Sequence, residues 1–72
     1  MNRIPVTSSN LSAVGYDPTS GTLEIAFKKG GVYQYFDVSR PVYEGLMSAP
    51  SHGRFFDVNI KKAGYTVRKI SA

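Results

Sequence analysis

Cysteine is missing from this 72-residue chain. No disulfide and no thiolate-bound zinc can therefore hold its fold together. Histidine is almost missing: His52 stands alone, so a single side chain carries the ordinary capacity for general-base work near neutral pH. Nothing close to it in sequence pairs with it as a nucleophile, and a surface or capping role is expected. Acids are few and scattered: Asp17, Glu24, Asp37, Glu44 and Asp57. A metal centre needs three or more clustered ligands, and a glycosidase needs two facing carboxyls. Neither pattern is present. The Gly30-Gly31 turn lacks the Lys-Ser/Thr flank of a phosphate loop, and Thr7-Ser8-Ser9 has no accompanying base. No apolar run nears the roughly 20 residues that span a bilayer, and MNRIPVTSSN has no apolar h-region. The expectation is a non-catalytic, cytoplasmic protein with no cofactor, no metal and no membrane partner.

What remains must hold itself by apolar packing. Hydrophobic residues make up 42% of the chain, with four Phe and five Tyr among them. That is enough for one core, although a chain of this size buries only about 60% of the surface it exposes when unfolded. Charged residues are 19%, too few and too mixed for intrinsic disorder. The net charge of +4 is unevenly placed. Through residue 53, Arg3, Lys28, Lys29 and Arg40 balance Asp17, Glu24, Asp37 and Glu44. Beyond it, Arg54, Lys61, Lys62, Arg68 and Lys69 face Asp57 alone. Such asymmetry suits an anionic partner, although a charge of this size also serves solubility.

The pattern along the chain predicts an antiparallel meander. Residues 1–8 lack periodicity and read as a loose lead-in, with Pro5 unable to donate to a ladder. Asn10 to Tyr16 reads as a first strand. Asp17-Pro18-Thr19-Ser20-Gly21 is turn chemistry. Thr22 to Lys28 alternates cleanly, setting Leu23, Ile25 and Phe27 on one face. A turn at Lys29-Gly30-Gly31 leads into a third strand, Val32 to Phe36. Its register has two solutions. A three-residue loop with a glycine bulge places Tyr33 and Tyr35 with Phe27, Ile25 and Leu23; a two-residue loop flips both tyrosines outward. The first gathers five large side chains into one core and is preferred. After Asp37-Val38 the period becomes helical. Ser39 suits an N-cap, Pro41 a first turn, and Val42, Tyr43, Leu46 and Met47 share a side. Pro50 ends that helix. Ser51 caps a second helix running to Lys62, closed by Gly64. Tyr65 to Ile70 is a short final strand or an extended tail. The fold class expected is α+β: a small three- to four-stranded antiparallel meander with two short helices packed on one face, in a single domain over residues 1–72.

The candidate site follows from basic residues interleaved with an aromatic. On a helical wheel Arg54, Asp57 and Lys61 share the side opposite Phe56 and Ile60, with Lys62 nearby. Asp57 is expected to pair with Arg54 and Lys61 along the helix. Tyr65, Arg68 and Lys69 follow. Together Arg54, Lys61, Lys62, Arg68 and Lys69 can neutralise phosphates while Tyr65 stacks on an unpaired base. Solvated helix faces also look like this, and Tyr65 also suits a core. Lys28 and Lys29 at the hairpin tip read as a solubility device. RNA or tRNA is the expected partner; another protein, bound through a sheet edge or exposed tyrosines, is the alternative.

The order and spacing of short motifs add a second line. Ser8-Ser9, Val14-Gly15-Tyr16-Asp17, Leu23 through Phe27, Gly30, Tyr33-x-Tyr35, Asp37-Val38, Tyr43, Ala49, Ser51-x-Gly53, Phe55-Phe56 and Ile60 resemble the KTSC domain family. That family is named for its occurrence at the C-terminus of some lysyl-tRNA synthetases, and it also occurs as free-standing small bacterial proteins. The resemblance runs from about residue 6 to residue 68. It implies a compact domain without known catalytic activity and with a suspected RNA-binding role. It supplies no binding residues to carry over. Pro50, at the Ala-Ser junction, and Ala63, in the basic turn, depart from the family pattern.

Overall fold

The computed structural model of the chain describes residues 1–71. Among them five strands form one antiparallel sheet in sequence order, β1 to β5. The alternation of β3 (Thr22–Phe27) sets the frame: Leu23 and Ile25 are fully buried on its inner face. The strand before it, β2 (Leu11–Asp17), buries both Leu11 and Val14 completely, although strict alternation forbids this for positions three apart. A register shift between Leu11 and Ala13 resolves the conflict. Ser12 is the extra residue of a bulge and faces solvent. The turn from β2 to β3 forms as its residues dictate. Asp17 Oδ1 accepts from Thr19 N at 3.0 Å, and the Asp17 carbonyl accepts from Gly21 N at 2.8 Å.

The next hairpin decides the fate of the tyrosines. Phe27 N donates to Gly31 O at 3.1 Å and Gly30 N to Phe27 O at 3.0 Å, so Lys28, Lys29 and Gly30 form a three-residue loop. Gly30 has φ 107, a backbone that side-chain-bearing residues rarely adopt. In β4 (Val32–Tyr35), Tyr33 then pairs with Ile25 and Tyr35 with Leu23. Directly paired residues share a face, so both tyrosines face inward, as the preferred register requires.

The sheet has one strand beyond the range expected. Ile4 and Pro5 pair with Val14 and Ala13 as β1 (Ile4–Pro5), within the segment read as a loose lead-in. A proline is tolerated there because β1 is an edge strand with no outer neighbour to donate to. The segment is also tied down beyond its ladder. Arg3 Nη1 donates to Glu24 Oε2 at 2.6 Å, and Gln34 Nε2 donates to Glu24 Oε1 at 2.9 Å. Glu24 lies on the outer face yet is only 4% exposed. Residues 1–3 cover that face beside it: a Cβ on Gly15 would lie 3.0 Å from Asn2 O and 3.2 Å from Arg3 Cγ.

The inner face is covered by helices. α1 (Arg40–Ser48) follows Ser39, whose side chain makes no capping bond. Its backbone carbonyl instead accepts from Val42 N and Tyr43 N. α2 (His52–Phe56) has the expected cap, with Ser51 Oγ accepting from Arg54 N at 3.2 Å. The helix predicted to continue to Lys62 instead widens into a π turn over Asp57–Lys61. Leu46, Phe56 and Ile60 from these segments join Leu11, Leu23 and Ile25 in the core. The chain closes with β5 (Val67–Ser71), paired to β4 by Val67 with Tyr35, Arg68 with Gln34 and Lys69 with Tyr33. Every residue of β5 is exposed.

Candidate functional site

A concavity lies on the inner side of the sheet, between the β3–β4 hairpin and the segment from α2 into the π turn. It is a half-open groove of about 750 Å³. Its floor is aromatic, made by Phe27, Tyr33, Tyr35 and Phe56. These rings hold one another by edge contacts: Phe27 meets Tyr33 at 5.5 Å and 80°, and Phe56 meets Phe27 at 5.4 Å and Tyr35 at 5.5 Å. Edge-to-face geometry matches the positive rim of one ring to the negative face of another. The packing fixes the floor without stacking its rings in parallel. Tyr16 and Tyr43 elsewhere do the opposite, stacked at 4.6 Å and 9°. Tyr16 is further committed by its hydroxyl, which donates to Val38 O at 2.6 Å.

One end of the groove is polar. Ser8 Oγ accepts from the backbone N–H groups of Asn10 and Leu11, both at 3.2 Å. This small turn presents Ser9 and Asn10 to the groove. Gly53 lets α2 sit against it, since a Cβ there would come within 3.3 Å of Ser8 Oγ. The walls are cationic. Lys29 comes from the hairpin tip, and Arg54 and Lys61 come from α2 and the π turn. Lys69 of β5 reaches the same region, with Nζ 5.8 Å from the Tyr33 ring centroid. Asp57 is the acid on these walls, and it is engaged by Lys62 at 3.5 Å.

The sequence-predicted set therefore divides. Arg54 and Lys61 line the groove, and Lys69 stands at its margin over Tyr33. Lys62 is taken up by Asp57, and the π turn explains that choice. A wider turn aligns residues five apart, whereas the expected pairings of Asp57 with Arg54 and Lys61 belong to α-helical spacing. Arg68 goes to the opposite face of the sheet, because it pairs with Gln34, which reaches Glu24 on the outer side. Tyr65 is half-buried and packs against the core. Lys29, read from sequence as a solubility device, joins the walls instead. The signal for it was the hairpin register, which already set Phe27 and Tyr33 inward beneath the tip. His52 lies away from the groove, donating from Nδ1 to Leu46 O at 2.8 Å and so linking α1 to α2.

The model of the KTSC domain matches residues 7–65, most of the chain. The chain belongs to the KTSC domain family. A solved KTSC domain protein from Yersinia pestis superposes with a TM-score of 0.92 at 46% identity, covering 97% of each chain. An uncharacterised protein of Stutzerimonas stutzeri is 37% identical over 70 residues, 97% of this chain and 99% of that one. The lysine–tRNA ligase of Nostoc sp. is 43% identical over 53 residues, which are 74% of this chain and 9% of the ligase. The KTSC domain thus occurs both as a small protein of this length and as a minor part of a much longer one.

Proposed function

We propose that this KTSC domain is a non-catalytic RNA-binding module whose binding surface is the inner groove. The observation that carries the proposal is the arrangement of four cations, Lys29, Arg54, Lys61 and Lys69, around an aromatic floor. Clustered positive charge against low-dielectric walls attracts phosphates from a distance. The rings beneath supply a surface on which bases can lie. The occurrence of the domain in a lysine–tRNA ligase supports tRNA as a ligand to try first.

Titration with bulk tRNA, followed by amide NMR over about 50 to 200 mM salt, tests this. Affinity is expected to fall with added salt, with a log–log slope of about −3 to −4 for four cations. Shifts should cluster on residues of the groove. Lys29→Ala and Lys61→Ala are each expected to reduce the slope by about 1, whereas Arg68→Ala, on the opposite face, should leave it unchanged. Binding that ignores salt, or that responds to Arg68 as to Lys61, counts against the proposal.

The open edge of β5 favours a second reading, in which a partner protein adds a strand there. The adjacent charges Arg68 and Lys69 resist such pairing. The other basis expected for protein binding, outward tyrosines, is lost because Tyr33 and Tyr35 face inward.

A further inference from the structure

The groove is specific about the form of nucleic acid it can accept. Resting on the RNA reading above, we infer that it takes an unpaired ribonucleotide strand rather than a duplex, with a base stacked on Tyr33. Four features carry this. The first is size: about 750 Å³ falls in the roughly 300–1,000 Å³ range of sites that enclose a small organic ligand. A flipped-out base with its sugar is an object of that size; a double helix is not, and its bases are already stacked. Duplex RNA is recognised by shape across its shallow groove, for which an aromatic floor below cationic walls has no use.

The second feature is the state of the rings. Tyr16 and Tyr43 cover each other in parallel and have no stacking surface to give. Tyr33 is half-buried, meets Phe27 at 80° and lines the groove; the group over its ring is the flexible Lys69 ammonium, 5.8 Å from the centroid, which a stacking base displaces toward its own phosphate. The third is hydrogen-bonding capacity. Tyr35 is only 8% exposed, yet among the described residues no buried side-chain polar atom lacks a partner and none of the side-chain hydrogen bonds involves its hydroxyl. That hydroxyl is therefore open to the groove rather than sealed. Burial, with the neighbouring Tyr33, pushes its pKa above the usual phenol range, so it is a donor for a base edge. The fourth is the placement of charge on both sides. Arg54 and Lys61 stand on the helical wall, Lys29 and Lys69 on the hairpin and β5 side. A strand crossing the floor meets a cation before and after the seated base.

The test compares three probes on the intact chain by fluorescence anisotropy: an unstructured oligoribonucleotide, the same oligonucleotide annealed to its complement, and polyglutamate of matched charge. The single strand is expected to bind at least about tenfold more tightly than either of the others, and Tyr33→Leu to remove about tenfold of its affinity with the salt slope unchanged. Upfield displacement of the Tyr33 ring protons in the wild-type NMR spectrum reads the stack directly and does not depend on the variant folding. Equal or tighter binding of the duplex or of polyglutamate overturns the inference, as does an undisplaced Tyr33 ring in the saturated complex. In those cases salt-dependent RNA binding itself can survive. Failure of both RNA forms to bind removes the RNA reading together with the inference.

Discussion

At the scale of the residue, Glu24 departs furthest from expectation. Alternation puts it opposite the core, where a charged side chain is ordinarily solvated, yet it is 4% exposed. Burial alone would raise its pKa. The hydrogen bonds from Gln34 and Arg3, with the positive charge of Arg3, outweigh that and hold the carboxyl below its usual value. A carboxyl with a depressed folded pKa contributes stability that is present above its unfolded value, about 4.3, and is lost as pH falls through the folded one. The wild-type chain should therefore exceed Glu24→Gln in stability at neutral pH, by about 1–3 kcal/mol. The gap should close on acidification below about pH 4. Urea melts of both chains from neutral to acid pH check this; curves that stay parallel would show that the charge of Glu24 contributes nothing. Composition could not have shown this burial. It depends on Arg3, 21 residues away, in a segment without any periodicity of its own.

At the scale of the element, the β3–β4 hairpin shows how far local chemistry fixes the fold. Gly30 and Gly31 both have positive φ, 107 and 91, but their surroundings differ. A Cβ on Gly30 would meet nothing within 4 Å, whereas one on Gly31 would lie 3.1 Å from Tyr33 Cε1. Gly30→Ala should therefore cost only the backbone penalty, about 1–2 kcal/mol. Gly31→Ala should cost more and disturb the groove floor as well. Thermal denaturation of the two variants orders them; a Gly31→Ala chain as stable as Gly30→Ala would show that Tyr33 gives way freely. The meander, its turns and the inward tyrosines were legible because period-two alternation and glycine placement act locally. The bulge at Ser12, the two-residue β1 and the π turn were not. The bulge arises from the pairing of β2 with β3, which lets Leu11 and Val14 both face the core, and Pro5 needs the edge of β2; the π turn is local but departs from the 3.6-residue period on which the helix was read.

At the scale of the whole molecule, the two sides of the sheet divide the basic residues between them. The outer side spends Arg3 on Glu24 and carries Arg68; the inner side collects Arg54, Lys61, Lys69 and Lys29 around the groove. Sequence placed the excess charge in the last quarter of the chain, and three of its five cations, Arg54, Lys61 and Lys69, lie on the inner side. Arg54 and Lys61 were visible because helical spacing is local. Arg68 and Lys69 adjoin in sequence but part in space, since successive strand residues face opposite ways. Lys29 was hidden by its distance from the others along the chain.

The full exposure of β5 has one last consequence. With no side chain in the core, this strand is held chiefly by its ladder to β4 and can open without global unfolding. Its amides should exchange with deuterium at a lower opening free energy than those of β3, and with little dependence on denaturant. Equal opening energies for the two strands would mean that the molecule melts as one unit. Since β5 delivers Lys69 to the groove, occupancy and strand closure are reciprocally linked. A ligand that contacts Lys69 must slow isotope exchange along β5, and whatever frays β5 must loosen that ligand by the same factor.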